Sequence, residues 1–303
     1  ALLSLGLDGA GYLWEVENRT NISIVEPHFR QTPTPTPYQL STNPITAEEI
    51  NDLTQVGQIG AGGREDHALH PNNRVLATAT GRGVWLHSYQ EGASLSFLPG
   101  DAASVVAWSS DGRWLAVREP FHIVIWDMST MQISQRYATR YFPDGDLAWA
   151  PRGGLLAAST PGGGIQVWNT ASGTLARELR HDYNRASAGN LAWLDDLHLA
   201  GSIEYGEDVA RQSTVLLWEL ASGKVTRELR GPAAPITALA YDPASDQLAA
   251  GDATGAVWWF GLNPLNLLDQ FNLPAGEAIT AFLLAKGQLT IADVTGAITP
   301  WPM

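Results

Sequence analysis

The feature that most constrains this chain is a phrase that occurs twice. Residues 168–180 read WNTASGTLARELR and residues 218–230 read WELASGKVTRELR, identical at eight of thirteen positions. The phrase belongs to a longer pattern. Aligned on a Trp that ends an alternating apolar segment, the chain shows Trp14, Trp85, Trp126, Trp168, Trp218, Trp259 and Trp301, spaced 71, 41, 42, 50, 41 and 42 residues apart. Self-similarity at such a period marks a repeat architecture in which each unit buries its apolar face against its neighbours. The two long gaps predict insertions.

Every unit has the same internal order. An alternating strand comes first, as in SVVAWSS around Trp108, DLAWAP around Trp149, NLAWLD around Trp193 and ALAYDP around Tyr241. A turn rich in Asp and Gly follows, supplying the positive φ that tight hairpins require. A second strand of small apolar residues (WLAVRE, LLAAST, QLAAGD) leads through another Gly-rich turn into the Trp strand. A turn such as TASGT then opens a more polar fourth strand. Gly and Pro every few residues and an apolar period of two exclude a helical alternative. Small side chains in the second strand fit a crowded position near a central axis, while the Trp strand brings large apolar surface to the contacts between units.

Four short antiparallel strands per repeat, at this period, resemble the WD-repeat β-propeller family, and in detail its divergent bacterial members. The resemblance covers residues 1–26 and 54–303. Its motif is degenerate: only Trp126–Asp127 is a literal Trp–Asp pair, and no Gly–His dipeptide occurs, so the family's buried His–Asp–Trp network is not expected here. Residues 45–60, ITAEEINDLTQVGQIG, resemble a segment that leads into the first full blade of such proteins. The fold class implied is all-β, a single β-propeller of four-stranded antiparallel blades. Seven blades are expected; the alternative is six complete blades plus an N-terminal fragment of another.

Residues 1–26 read as a partial blade that supplies second and third strands, with Asn21–Pro27 available as the fourth. Its missing first strand, and the missing fourth strand of the last blade, are expected upstream of Ala1. Residues 27–53 form a Thr/Pro-rich insertion or linker, and 54–303 form six further blades. In the six-blade alternative, LTQVGQIG completes the last blade instead. The stretch QTPTPTPYQLSTNP (31–44) favours extended, polyproline-like backbone and resembles stalks of secreted proteins. It points to an extracytoplasmic or cell-surface location without excluding the cytoplasm.

Composition removes several functions. A net charge of −13 argues against nucleic acid or an anionic membrane as the main partner, because both need clustered Lys and Arg. The absence of cysteine removes thiol catalysis, disulfides and Cys-based metal sites. No apolar run approaches the ~18 residues of a membrane helix. His67 and His70, three apart on a strand, face opposite sides, and Asp144 and Asp146 around one Gly lack the further ligands of a calcium loop. GAGGRED (60–66) has no P-loop Lys. No catalytic residue, metal or cofactor is therefore expected.

Connecting loops remain. Those entering first strands and those joining second to third strands share one face, and loops on a rigid scaffold carry function. Collected along the chain they hold Arg64 and Arg82, then Arg118, Phe121 and His122, then Arg140, Tyr141 and Phe142, then His181, Tyr183 and Arg185, and finally Tyr205. Arg and aromatic side chains dominate binding hot spots, so these are the expected partner-binding residues. The corresponding loops of the last two repeats are small and bland. The expected function is a non-catalytic protein–protein interaction scaffold or assembly subunit. The alternative is an enzyme or small-ligand binder using the central channel, which would gather titratable groups in perturbed environments at one channel mouth.

Overall fold

The computed structural model describes residues 2–5, 11–16, 53–59 and 66–301, apart from 90–93, 141–144, 207–211, 232–233, 274–275, 286–287 and 295–297. Their regular structure is strand throughout, in seven antiparallel sheets. The first holds β1 (Leu2–Leu5), β2 (Gly11–Val16) and β3 (Leu53–Ile59). The second is β4 (His67–Leu69), β5 (Val75–Thr80), β6 (Gly83–Ser88) and β7 (Ser94–Pro99). The third is β8 (Val105–Trp108), β9 (Trp114–Arg118), β10 (His122–Asp127) and β11 (Gln132–Ala138). The fourth is β12 (Leu147–Trp149), β13 (Leu155–Ser159), β14 (Ile165–Asn169) and β15 (Thr174–Leu179). The fifth is β16 (Ser187–Trp193), β17 (His198–Tyr205), β18 (Gln212–Glu219) and β19 (Lys224–Arg230). The sixth is β20 (Ile236–Asp242), β21 (Gln247–Asp252), β22 (Ala256–Leu262) and β23 (Leu265–Asn272). The seventh holds β24 (Ile279–Ala285), β25 (Gln288–Asp293) and β26 (Ile298–Trp301).

Within each sheet the strands follow chain order. Sheets two to seven are joined through neighbouring first strands, β4 to β8, β8 to β12, β12 to β16, β16 to β20 and β20 to β24, and β24 in turn lies against β1. One expectation changes at the N-terminus. β3 pairs antiparallel with β2, Leu13 opposite Gly57 and Tyr12 opposite Gln58. The segment LTQVGQI therefore belongs to the first sheet and does not complete the last one. Asn21–Pro27, the segment expected in that role, lies outside the described residues. A chain can return to its own sheet across a long insertion because closure entropy grows only slowly with loop length.

The cores sit between consecutive sheets. Ala77, Leu86, Val106, Leu115 and Trp126 join the second and third, whereas Ile123, Leu147 and Leu156 join the third and fourth. Ile165, Leu179, Leu199 and Trp218 join the fourth and fifth; Val215, Leu248 and Phe260 join the fifth and sixth; Val257, Trp259, Ile279 and Leu289 join the last two. Second strands are buried along most of their length, which accounts for their small residues. A Cβ on Gly251 would stand 2.6 Å from Phe282 Cζ and 2.8 Å from Ile279 Cδ1 of the next sheet. Only a hydrogen fits there.

The backbone register corrects the Trp alignment in two sheets. A β-bulge recurs just before one third-strand position: between 13 and 14, 86 and 87, 125 and 126, 167 and 168, 217 and 218, and 259 and 260. The residue after it pairs with a second-strand Leu, as Trp126 with Leu115, Trp168 with Leu156 and Trp218 with Leu199. In the sixth sheet that residue is Phe260, and in the second it is His87. The position faces the preceding sheet. Trp259, one residue earlier, therefore packs into the opposite core. Trp85, two residues before His87 and on the same side of its strand, is 40% exposed. The turn after this strand is the Ser–Gly turn of the repeated phrase. Gly173 and Gly223 take φ of 72° and 70°, and Met131 takes the same place at 56°, a conformation unfavourable for a side chain.

Polar contacts also link the innermost strands. The indole N–H groups of Trp108, Trp149 and Trp193 each donate, at 2.9 Å, to a first-strand carbonyl of the preceding sheet: Ala68, Ala107 and Ala148. Trp149→Phe keeps an aromatic side chain, though a smaller one, and removes one of these bonds. We expect it to lower stability by about 1 kcal/mol, measured by urea unfolding; no loss would show the ladder to be incidental.

Candidate functional site

Successive hairpins alternate ends, so the joins from second to third strand share one face with the segments entering first strands. On that face the fourth sheet borders a cleft of ≈ 550 Å³. Its walls come from the end of β11 (Thr139, Arg140), the β13–β14 turn (Thr160 to Gly164) and the end of β15 (Glu178 to His181), with Arg118 and Gln166 also facing it. Arg180 Nη2 donates to Glu178 Oε2 at 2.6 Å, and this bond holds the Glu178 carboxyl below its usual range. His181 Nε2 lies 2.9 Å from the Gly163 carbonyl, and burial lowers the imidazole's pKa.

Beside the cleft runs an aromatic row. The His181 and Tyr183 rings are 5.6 Å apart, and Tyr183 stacks on Tyr205 at 4.1 Å. Tyr183 donates to Glu228 Oε1 at 2.5 Å, and Arg230 holds the same carboxylate. Burial, reinforced by Glu228, pushes the Tyr183 phenol up to about 12. The expected loop residues are thus divided. Arg140 and His181 line the cleft; Tyr183 and Tyr205 form the row; Arg185 is exposed at φ 50°. Phe121, 58% exposed, and the exposed Arg82 stand on hairpins of earlier sheets and do not line the cleft, and His122 is half-buried. Arg64, Tyr141 and Phe142 lie outside the described residues.

Arg118 is a correction. It is 1% exposed at the end of β9, and its Nη2 donates at 3.0 Å to the carbonyls of Asp146 and Ser159 in the next sheet. Like Asp66, Asp146 and Asn190, it bridges neighbouring sheets through a polar side chain. Asp66 Oδ2 accepts from Val106 N, and Asp146 Oδ2 accepts from Leu191 N, both at 2.8 Å. Asn190 Nδ2 donates to the Ile236 carbonyl at 2.9 Å. The third sheet has Val105 at the corresponding position; there Arg118, its cross-strand partner, makes the link instead. Burial pushes Asp66 up to about 7 and Asp146 up to about 6, against their backbone hydrogen bonds, while burial lowers Arg118 to about 10. Burial also lowers His67 to about 4, and its Nδ1 lies 3.0 Å from Thr78 Oγ1. These are the perturbed titratable groups expected of a channel enzyme, but each is engaged in holding one sheet to another or to itself. Asp146 in particular is a buried link to the fifth sheet.

Sequence reasoning missed Thr139, Gln166, Glu178 and Arg180. LARELR reads as a solvated outer strand, and nothing local shows that its last residues border a cleft. Among the described residues no three His, Cys, Asp or Glu side chains gather as a metal site.

No protein-family profile matches the sequence. A solved structure, Kuenenia stuttgartiensis hydrazine synthase, superimposes with a TM-score of 0.68, covering 82% of this chain and 86% of that one at 16% identity. The fold is a β-propeller. The likeness carries the propeller architecture alone, since the identity is far too low to carry chemistry. A curated relative, the B-type cell cycle switch protein ccs52B of Medicago truncatula, is 24% identical over 282 residues, 84% of this chain. The propeller chain spans 55% of that relative's length.

Proposed function

We propose that this propeller is a WD-repeat-type interaction scaffold without catalytic function, which engages a protein partner through the face carrying the cleft and the aromatic row. The observation that supports this most directly is the His181–Tyr183–Tyr205 row. It is a rigid, half-buried aromatic surface next to Arg140 and Arg180, the residue types on which interface energy concentrates. A net charge of −13 disfavours nucleic acid as the partner. The engagement of Asp66, Asp146 and Arg118 in links between blades disfavours a catalytic channel mouth. Similarity to a cell cycle switch protein fits a scaffold, although over only part of that protein's length.

A triple variant, Phe121→Ala, Tyr205→Ala and Arg185→Glu, tests the reading. Affinity capture with the wild-type chain followed by mass spectrometry is expected to recover a stoichiometric protein partner. The triple variant, still melting cooperatively, is expected to bind that partner at least about 30-fold more weakly. Undiminished capture by the variant, or a wild-type chain recovered alone, would overturn it.

A further inference from the structure

His181 meets a donor at one ring nitrogen and an acceptor at the other. The Tyr183 backbone N–H donates to Nδ1 at 3.1 Å, and the Gly163 carbonyl lies 2.9 Å from Nε2. An amide N–H only donates and a carbonyl only accepts, so Nδ1 is bare and Nε2 carries the proton. Both bonds exist together only in the neutral ring. Gly163 makes room for that ring: at φ 82°, a Cβ there would stand 2.4 Å from Nε2. The residue that Nδ1 positions is Tyr183, the middle of the aromatic row, which stacks on Tyr205 at 4.1 Å and donates through its hydroxyl to Glu228. His70 is held in the same way, between the Asn72 N–H and the Gly112 carbonyl, but there the residue positioned is an exposed one in a turn.

We propose that His181 is an acid-sensitive latch for the aromatic row: protonation sets an N–H at Nδ1 against the Tyr183 N–H, breaks the bond that places Tyr183, and loosens the face on which the partner docks. This deepens the scaffold reading and rests on it for the docking alone. His181 is half-buried, so protons reach it. Burial lowers the imidazole's pKa from the ordinary 6.5, while the Gly163 bond and the Asp182 charge raise it. With the native value below the unfolded one, the latch is complete above about pH 6.5 and is lost as the pH falls further. The charged groups around the ring are Asp182 on its own segment, Glu178 and Arg180 at the end of β15, and Arg140 across the cleft; the β13–β14 turn brings none. Arginine stays charged throughout. Arg180 and Arg230 hold Glu178 and Glu228 below the usual carboxylate range, so neither ion pair changes in this window.

The test follows the full chain, without any partner, by NMR from pH 7.5 to 5, with hydrogen exchange at the Tyr183 amide expressed as protection relative to an open amide. That protection is expected to fall at least about fivefold as the His181 ring titrates, the size of one lost hydrogen bond. Contacts between the Tyr183 and Tyr205 rings should weaken with the same apparent pKa. Protection at Val167, buried in the core between the fourth and fifth sheets, should stay constant. His181→Asn keeps an acceptor near the place of Nδ1 and never ionises, so Tyr183 in that variant should show no response to pH in this range. A ring that titrates while Tyr183 stays protected, or a ring still neutral at pH 5, would overturn the latch. So would a fall at Tyr183 no larger than at Val167, or a response that persists in His181→Asn. None of these outcomes touches the Phe121, Tyr205 and Arg185 substitutions, so the scaffold reading stands or falls separately, on partner capture.

Discussion

Trp218→Ala is expected to lower the unfolding free energy by about 3–5 kcal/mol, the range for deleting a buried Trp side chain. The indole is 0% exposed and packs among Ile165, Val167, Leu179 and Leu199 at the junction of the fourth and fifth sheets. Its fit is close on both sides: a Cβ added to Gly201 would stand 3.2 Å from Trp218 Cζ3. The indole N–H also donates to the Arg180 carbonyl at 3.0 Å, so the same substitution frees the backbone beside the cleft. Urea unfolding followed by circular dichroism measures the loss, and Trp218→Phe, which retains most of the packing, should lose about half as much. A loss below about 1 kcal/mol would mean that this junction does not depend on the ring. Because Arg180 moves with it, exchange of the Arg180–Tyr183 amides should rise in the alanine variant before global unfolding.

Asp66→Asn should make the protein more stable at pH 8 and leave it nearly unchanged at pH 4.5. Burial holds the Asp66 carboxyl at about 7, assisted by the nearby Asp146 charge and opposed by the Val106 and His67 backbone N–H groups. The unfolded chain ionises near the usual 3.8. Between these values the native state retains a proton that the unfolded state has lost. The stabilisation from this group is therefore complete below about pH 4, declines as pH rises, and is gone above about pH 7. The displacement corresponds to about 2–4 kcal/mol. Asparagine retains an acceptor for the Val106 N–H and never ionises, so the variant escapes the loss. His67, held near 4 by burial, acts with the opposite sign in the same window. Its contribution is present above its usual 6.5 and lost as pH falls toward 4. The diagnostic is accordingly the difference between variant and wild type in urea unfolding at the two pH values. A variant no more stable at pH 8 than at pH 4.5, relative to wild type, would place the Asp66 carboxylate in contact with water.

Much of the propeller could be read from particular residues. Gly173 and Gly223 occupy the left-handed turn that SGT and SGK announce, and Ala157, Ala158, Ala249 and Ala250 lie buried where small side chains were expected. The face that carries the cleft was legible only in part. Arg140, His181, Tyr183 and Tyr205 come together because they follow or interrupt the repeat, which is visible in one dimension. Arg118 was misjudged because a lone Arg in a loop is exposed by default. The acceptors that make its burial tolerable, the Asp146 and Ser159 carbonyls, lie 28 and 41 residues away. Thr139 and Gln166 carried no local signal at all, since a cleft wall is defined by everything that surrounds it.

The amino-acid sequence by itself determined the unit and the period: four strands, two kinds of Gly turn and one large aromatic, repeated until the sheets could bury one another. Those properties depend on neighbours in the chain and on an alternation of two. The tertiary structure decided which face each large residue takes, because a single bulge or a one-residue slip moves a side chain to the opposite core, as it does for Trp259 and Phe260. It also decided that β3 returns to β2, and that Asp66, Arg118, Asp146 and Asn190 link successive blades. Each of these depends on contacts between residues far apart in sequence, whose free energy exists only once the blades are packed together.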